Sequence, residues 1–405
     1  MSEAVIVSAV RSPIGRARKG SLAEMRPDDL AAQMVRAALA RVPELNPLEI
    51  EDLILGCSSP AGESGHNMGR IVAILSGLED VPGTTVNRYC SSSLQATRMA
   101  LHAIRAGEGD VFISAGVETV SKYDKGAADR MPNTKNPVFS DAENRTAGMV
   151  ENRGIWSDMR TGGILPDAYI SMGQTAENVA QLKGITREEQ DAFAVRSHNL
   201  AEGSSANGFW SREISPVTLG DGSTVSKDDG PRDGVTMASV AGLSPVFRSD
   251  GTVTAANCCP LNDGAAALVI MSDGKARDLG ITPLARIVST GVSGLSPEIM
   301  GLGPVEASKQ ALSRAGMTMA DIDLVEINEA FAAQVIPSAR DLGIDMDKLN
   351  INGGGIALGH PFGMTGARIA TTLINSMQFH DKQFGLETMC VGGGQGMAMI
   401  LERLS

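Results

Sequence analysis

Two cysteines and one histidine stand where this chain could do covalent chemistry. Cys90 lies in Asn87-Arg88-Tyr89-Cys90-Ser91-Ser92-Ser93, where a strand pattern runs straight into a helical one. A thiol at a helix N-terminus meets free N–H groups and the positive end of the helix dipole, and both favour the thiolate. Such a turn also presents the side chain at a sheet edge, as a nucleophile elbow does. Taken alone, the segment is equally consistent with a buried, inert cysteine. His360 sits among glycines in Asn352-Gly353-Gly354-Gly355-Ile356-Ala357-Leu358-Gly359-His360-Pro361-Phe362-Gly363. So permissive a loop lets backbone approach a ligand closely. Placed to open a helix, a neutral imidazole there can accept a thiol proton, the alternative being a structural loop histidine. The loop lacks the Gly-Lys-Ser/Thr of a P-loop and the acidic partner of a dinucleotide fold. Cys390 precedes Gly392-Gly393-Gly394 at a strand end, and Asn328-Glu329-Ala330-Phe331 follows another strand. A thiol nucleophile, an imidazole base, a second acid/base and an amide at strand ends make one acyl-transfer site.

The elements that must position these groups alternate between strand and helix. Ala4–Val7, Asp52–Leu55 and Asp110–Ala115 read as strands, and Asp28–Leu39 and Leu94–Ile104 as helices. That alternation predicts a sheet covered by helices. The plan repeats in the second half. Glu49–Gly56 resembles Ala320–Ile327, the helix after Cys90 has its counterpart at Thr365–Met377, and Asp110–Gly116 pairs with Thr388–Gly394. Between the halves, 122–252 is rich in Asp, Gly, Arg and Ser, with helices expected at Thr175–Leu182 and Glu188–Ala201. A long insertion of this kind is usually a binding loop. Ala266–Met271 then returns a strand to the first sheet. The predicted fold is α/β, two repeated halves with mixed sheets and a long loop insertion. The first half is 1–121 completed by 253–275, the loop domain is 122–252, and the second half is 276–405.

Bulk properties narrow the function. The formal net charge of -12 argues against nucleic acid and anionic membranes as partners. Arg11, Arg16, Arg18 and Lys19 form a local basic cluster, either a solvated loop or a phosphate or subunit contact. No run approaches a membrane span, and no secretory signal is visible. Five cysteines, an odd number, fit free thiols in a reducing cytoplasm. Adjacent Cys258 and Cys259 are a poor chelate, so no metal is expected.

Together the four segments resemble the thiolase family over essentially the whole chain. The Asn-Glu-Ala-Phe, Gly-His-Pro and Cys-x-Gly-Gly-Gly motifs are intact at Asn328, His360 and Cys390. Asp228-Asp229-Gly230-Pro231-Arg232 also resembles a family segment. Two departures stand out: Ser93 replaces a usual glycine, and Cys259 replaces a usual serine near the coenzyme A tail. The resemblance implies Cys90 as acyl-accepting nucleophile, His360 as its base and Cys390 as general acid/base. It implies oxyanion sites built from His360 with a water held by Asn328, and from the N–H groups of Cys90 and Gly392. It places Arg232, Ser239 and Cys259 along coenzyme A, and Met172, Ala330 and Phe331 at the acyl site. Coenzyme A is then a substrate, with no tightly bound cofactor. Ser171 stands where acetoacetyl-CoA-specific members often carry histidine, and the missing ring implies room for longer acyl chains. The resulting expectation is a degradative 3-ketoacyl-CoA thiolase of β-oxidation. Acetyl-CoA C-acetyltransferase is the alternative, and a non-catalytic acyl-CoA binder is disfavoured by the intact cysteine pair. Dimers or tetramers, a cytoplasmic location and a possible β-oxidation multienzyme partner complete the expectation, with no membrane insertion.

Overall fold

A computed structural model describes residues 2–405. Its twelve strands are β1 (Ala4–Arg11), β2 (Gly15–Arg16), β3 (Asp52–Gly56), β4 (Gly83–Val86), β5 (Val111–Thr119), β6 (Val217–Thr218), β7 (Thr224–Val225), β8 (Asn262–Ser272), β9 (Ala285–Gly294), β10 (Leu324–Ile327), β11 (Phe384–Val391) and β12 (Gln395–Arg403). Nine of them run in the order β10-β11-β12-β9-β1-β8-β5-β3-β4, with β2 on β8. The order is nearly palindromic about the short β1–β9 contact, because Val325 bridges in parallel to Leu349 where β3 pairs with β4. The fold is thus one α/β plan used twice. Parallel pairs β3/β4, β3/β5 and β10/β11 combine with antiparallel ones, which makes the sheet mixed.

Residues of β1, β5, β8 and β11 are buried on both faces, so they read as continuous apolar runs rather than alternating ones. In β1, Ala4 and Ile6 join the central core and Val5 and Val7 the outer one. A bulge between Ile6 and Ser8 shifts the alternation by one residue, so that Ala9 faces the central core and Val10 the outer one. The central core contains the two helices Ser92–Ala106 and Thr365–Phe379. Helices Pro27–Leu39 and Met68–Leu75 cover one outer face. Helix Ala332–Leu342 joins the other outer core, as does Ala307 of Gly303–Ala315.

The repeat register differs from the sequence pairing. β5 closes on β8 at Thr119/Asp263, and β11 closes on β12 at Val391/Gln395. Glu118 is therefore the counterpart of Cys390, and Gly116 is not the counterpart of Gly394. The matching glycines had aligned loops that follow different parts of the strands.

Ser93 braces the two central helices. Its Oγ accepts from the N–H of Ala367, in the first turn of Thr365–Phe379, a helix with no side-chain cap of its own. The neighbouring backbone is tight, since a Cβ on Gly56 would lie 2.3 Å from Ser93 N. The serine in place of glycine thus caps a helix across the core. Ser93→Ala should lower stability by about 1 kcal/mol, the usual worth of a capping hydroxyl. Urea denaturation checks this, with the midpoint falling at unchanged slope.

Candidate active site

The strand β4 ends three residues before the turn Tyr89–Ser91, and the helix Ser92–Ala106 follows at once. Tyr89 takes φ 43°, an uncommon conformation for a side-chain-bearing residue, so the turn before Cys90 is strained in the manner of an elbow. Its ring packs on Gly392, where a Cβ would meet the ring at 3.2 Å. That close approach explains a glycine at 392.

His360 is 1% exposed, and its neighbours fix the ring. Its backbone N–H donates to Asn262 Oδ1 at 3.0 Å. Nδ1 lies 2.6 Å from Thr365 Oγ1, whose own proton goes to Pro361 O at 2.7 Å. Nδ1 must therefore donate, which leaves the lone pair on Nε2. Nε2 faces Asn328 Nδ2 at 3.1 Å. The neutral ring thus presents Nε2 as an acceptor, and the amide of Asn328 donates to it. His360 does not open the long helix; a tight turn at Phe362–Met364 intervenes, and the helix starts at Thr365.

Electrostatics correct the sequence reading of the thiol. Burial pushes Cys90 up to about 12, outweighing the N–H groups of Gly392 and Cys90 itself, while the Glu118 charge raises it further. The helix N-terminus does not make a resting thiolate, because desolvation of the charged form costs more than the dipole returns. Burial, then the Arg368 charge, hold His360 down to about 3. Thiol and imidazole are therefore both neutral at rest.

Cys390, fully buried near the end of β11, is pushed up by burial and by the charge of Cys90. Asn328, directly after β10, is buried, and its Oδ1 has no partner within the chain. Cys259 is raised by burial, then by the charges of Cys258, Cys90 and Cys390, so a third thiol stands near the pair.

A cavity of about 350 Å³ opens on Cys90 and Gly392. Tyr89, Tyr123, Tyr169, Ile170, Met172 and Phe362 form much of its wall. Those are all three tyrosines of the chain. Ser171 is exposed and does not line this cavity, although both its neighbours do. Position 171 therefore does not shape this cavity, and its space is set by the tyrosines, Ile170 and Met172. A second cleft of about 320 Å³ brings Arg232 and Ser239 together with Arg16, His198 and Leu243. Asp228 and Asp229 anchor its edge, Asp228 on Arg11 at 2.7 Å and Ile14 N at 2.7 Å, Asp229 on the N–H groups of Arg16 and Ser21. The basic cluster accordingly splits: Arg11 is buried with Glu213 and Asp228, Arg16 lines the cleft, and Arg18 makes an exposed pair with Asp124. Ser239 is tied up as a helix cap, its Oγ donating to Thr236 O at 2.7 Å. Ala330, Phe331 and Cys259 line neither cavity. They form a packed strip, with Cys259 N–H on Ala330 O at 3.0 Å and Phe331 edge-on to Phe247. Among the described residues, no three His, Cys, Asp or Glu side chains gather as a metal site, and no helix is long and apolar enough to cross a membrane.

Comparison with known proteins agrees with this arrangement. Residues 4–274 match the family described as thiolase, N-terminal domain, and 281–403 match thiolase, C-terminal domain. The chain is 44% identical to the 3-ketoacyl-CoA thiolase of Bacillus subtilis (strain 168), over 99% of this chain and 100% of that one. It is 43% identical to the 3-oxoadipyl-CoA/3-oxo-5,6-dehydrosuberyl-CoA thiolase of Escherichia coli (strain K12), over the whole of both. Among solved structures, the Bacillus anthracis acetyl-CoA acetyltransferase superposes with a TM-score of 0.86 at 38% identity, over 100% of this chain and 99% of the other.

Proposed function

This chain belongs to the thiolase family, and from that premise we propose that it is a degradative 3-ketoacyl-CoA thiolase. Coenzyme A cleaves a 3-ketoacyl-CoA to acetyl-CoA and a shortened acyl-CoA through an acyl-cysteine. The observation that carries the degradative reading is the cavity beyond Cys90, whose volume of about 350 Å³ far exceeds a methyl group.

In this reading Nε2 of His360 takes the Cys90 proton as sulfur attacks the 3-keto carbon. The bond between the second and third carbons breaks, and Cys390 protonates the departing acetyl-CoA carbanion. A fresh coenzyme A gives its thiol proton to Cys390 and attacks the thioester on Cys90. Charge on one oxygen is met by His360 and a water on Asn328, a role supported by the unpartnered Oδ1. The other oxygen is met by the N–H groups of Cys90 and Gly392, supported by the pull of both on the Cys90 sulfur. Coenzyme A lies in the cleft of Arg232 and Ser239 as substrate, with no tightly bound cofactor, and Cys259, Ala330 and Phe331 pack beside the acyl site with Met172. The division into 1–121 with 253–275, 122–252 and 276–405 is supported by the pairing of β8 with β1 and β5. A homotetramer or homodimer is supported by Met131, Val138, Ile155, Met159, Ile164 and Leu165, exposed apolar side chains that all fall between 131 and 165. A cytoplasmic enzyme of fatty acid β-oxidation is the setting that this chemistry fits.

Steady-state thiolysis tests the substrate class. The specificity constant for 3-ketooctanoyl-CoA should at least equal that for acetoacetyl-CoA, since each methylene given a pocket is worth about 1 kcal/mol or more. Turnover confined to acetoacetyl-CoA would replace this reading with acetyl-CoA C-acetyltransferase.

A further inference from the structure

Glu118 has no part in the reaction as drawn, yet it is fully buried one residue from the end of β5. Its Oε2 accepts from Ser58 N–H at 2.9 Å and from Gly363 N–H at 2.9 Å. Its Oε1 accepts from Tyr123 O–H at 2.9 Å and faces Cys57 Sγ at 3.8 Å. Every neighbour is a donor, so the carboxylate fits without a proton of its own. Burial pushes this carboxyl up, and the donors from Ser58, Gly363 and Tyr123 oppose that push.

These partners belong to the site. Ser58 and Tyr123 line the acyl cavity. Gly363 follows His360 by three residues, and Phe362 between them packs edge-on to the imidazole with centroids 5.1 Å apart. Gly363 is wedged in place, since a Cβ there would meet Val117 O at 2.5 Å and Cys57 Cα at 2.8 Å. Two residues on, Thr365 holds His360 Nδ1.

We propose that Glu118 is a positioning residue of the thiolase reaction: one buried carboxylate ties the His360 loop to two walls of the acyl cavity. The proposal rests on the reading of Cys90 as nucleophile. Tyr123 at one end of this node touches the acyl chain, and Gly363 at the other sets the imidazole. A chain that fills the cavity is thereby felt at the base. The charge has a second consequence, because it opposes the Cys90 thiolate and favours the resting thiol. The titratable groups facing Glu118 are Cys57 and Tyr123; those acting with Cys90 are Glu118, Tyr89, Cys259 and Cys390. In the repeated fold Glu118 occupies the place of Cys390, so each copy puts a reactive-site group at the same strand end.

Glu118→Gln keeps the shape and an oxygen for both N–H donors but removes the charge. Three readouts are compared with wild type: thermal unfolding, kcat and KM with acetoacetyl-CoA, and the pH midpoint of Cys90 alkylation by iodoacetamide, located by mass spectrometry. The midpoint should move to lower pH by about one unit, because a charge opposing the thiolate is gone, and kcat should fall about tenfold or more at nearly constant KM. Tyr123→Phe keeps the charge and loses one donor, so the midpoint should stay while kcat falls about threefold. A folded Glu118→Gln with unmoved midpoint and unchanged kcat overturns the proposal. Where Glu118→Gln does not fold, Tyr123→Phe decides alone: unchanged kcat overturns it. If acyl label from acetoacetyl-CoA is absent from Cys90 in wild type, the nucleophile assignment has failed; label on Cys90 together with an unmoved midpoint and unchanged kcat in Glu118→Gln sinks only the role of Glu118.

Discussion

Cys90→Ala should lose about 10⁴-fold or more of turnover, the scale at which removal of a nucleophile from a covalent mechanism registers. Coenzyme A binding should change little, because the cleft of Arg16, Arg232 and Ser239 is lined by other residues. The loss cannot be made good by the neighbouring thiols. Cys390 is fully buried, and burial also drives Cys259 well above its ordinary value. Steady-state thiolysis together with coenzyme A titration measures both halves of the expectation. Retained turnover within tenfold of wild type would put the nucleophile elsewhere.

His360→Ala should cost about 10³-fold in kcat, within the range for loss of a positioned general base. Its pH dependence is more telling than its size. Wild type starts from a thiol near 12 and an imidazole near 3, neither of which titrates between pH 6 and 9 as those values place them. The proton moves within the pair, so this pair imposes no slope on wild-type acylation. Without the imidazole, attack needs thiolate formed by the solvent. Below its pKa the thiolate fraction rises about tenfold per pH unit, so acylation by the variant should climb with that slope. Rapid-quench acylation of Cys90 across pH 6–9 reads it. A variant as flat as wild type would mean that another group takes the proton.

Much of this was legible in the sequence because it was local. Cys90 between a strand and a helix, His360 among glycines and Asn328 after a strand are read from neighbours, and the structure sets His360 and Asn328 3.1 Å apart. The central helices fell within two residues of their expected bounds, since apolar spacing carries them. What escaped depends on distance in sequence. The direction of the Cys90 shift follows from burial by segments hundreds of residues away, which no spacing reveals. Ser171 was expected to open a tunnel because family members often carry a histidine ring there, whereas the chain turns it outward between Ile170 and Met172. Glu118 was missed because its donors come from positions 58, 123 and 363. Counting the repeat from strand ends rather than from matching glycines would have set it opposite Cys390.

The central claim is that the acyl group rides on Cys90. Enzyme mixed with acetoacetyl-CoA without free coenzyme A, quenched in acid and digested, should show one acetyl group on the peptide carrying Cys90. The same treatment of Cys90→Ala should show none. An acetyl group on Cys390 or Cys259 in either protein, or an unmodified Cys90 in an enzyme that turns over, would contradict the account.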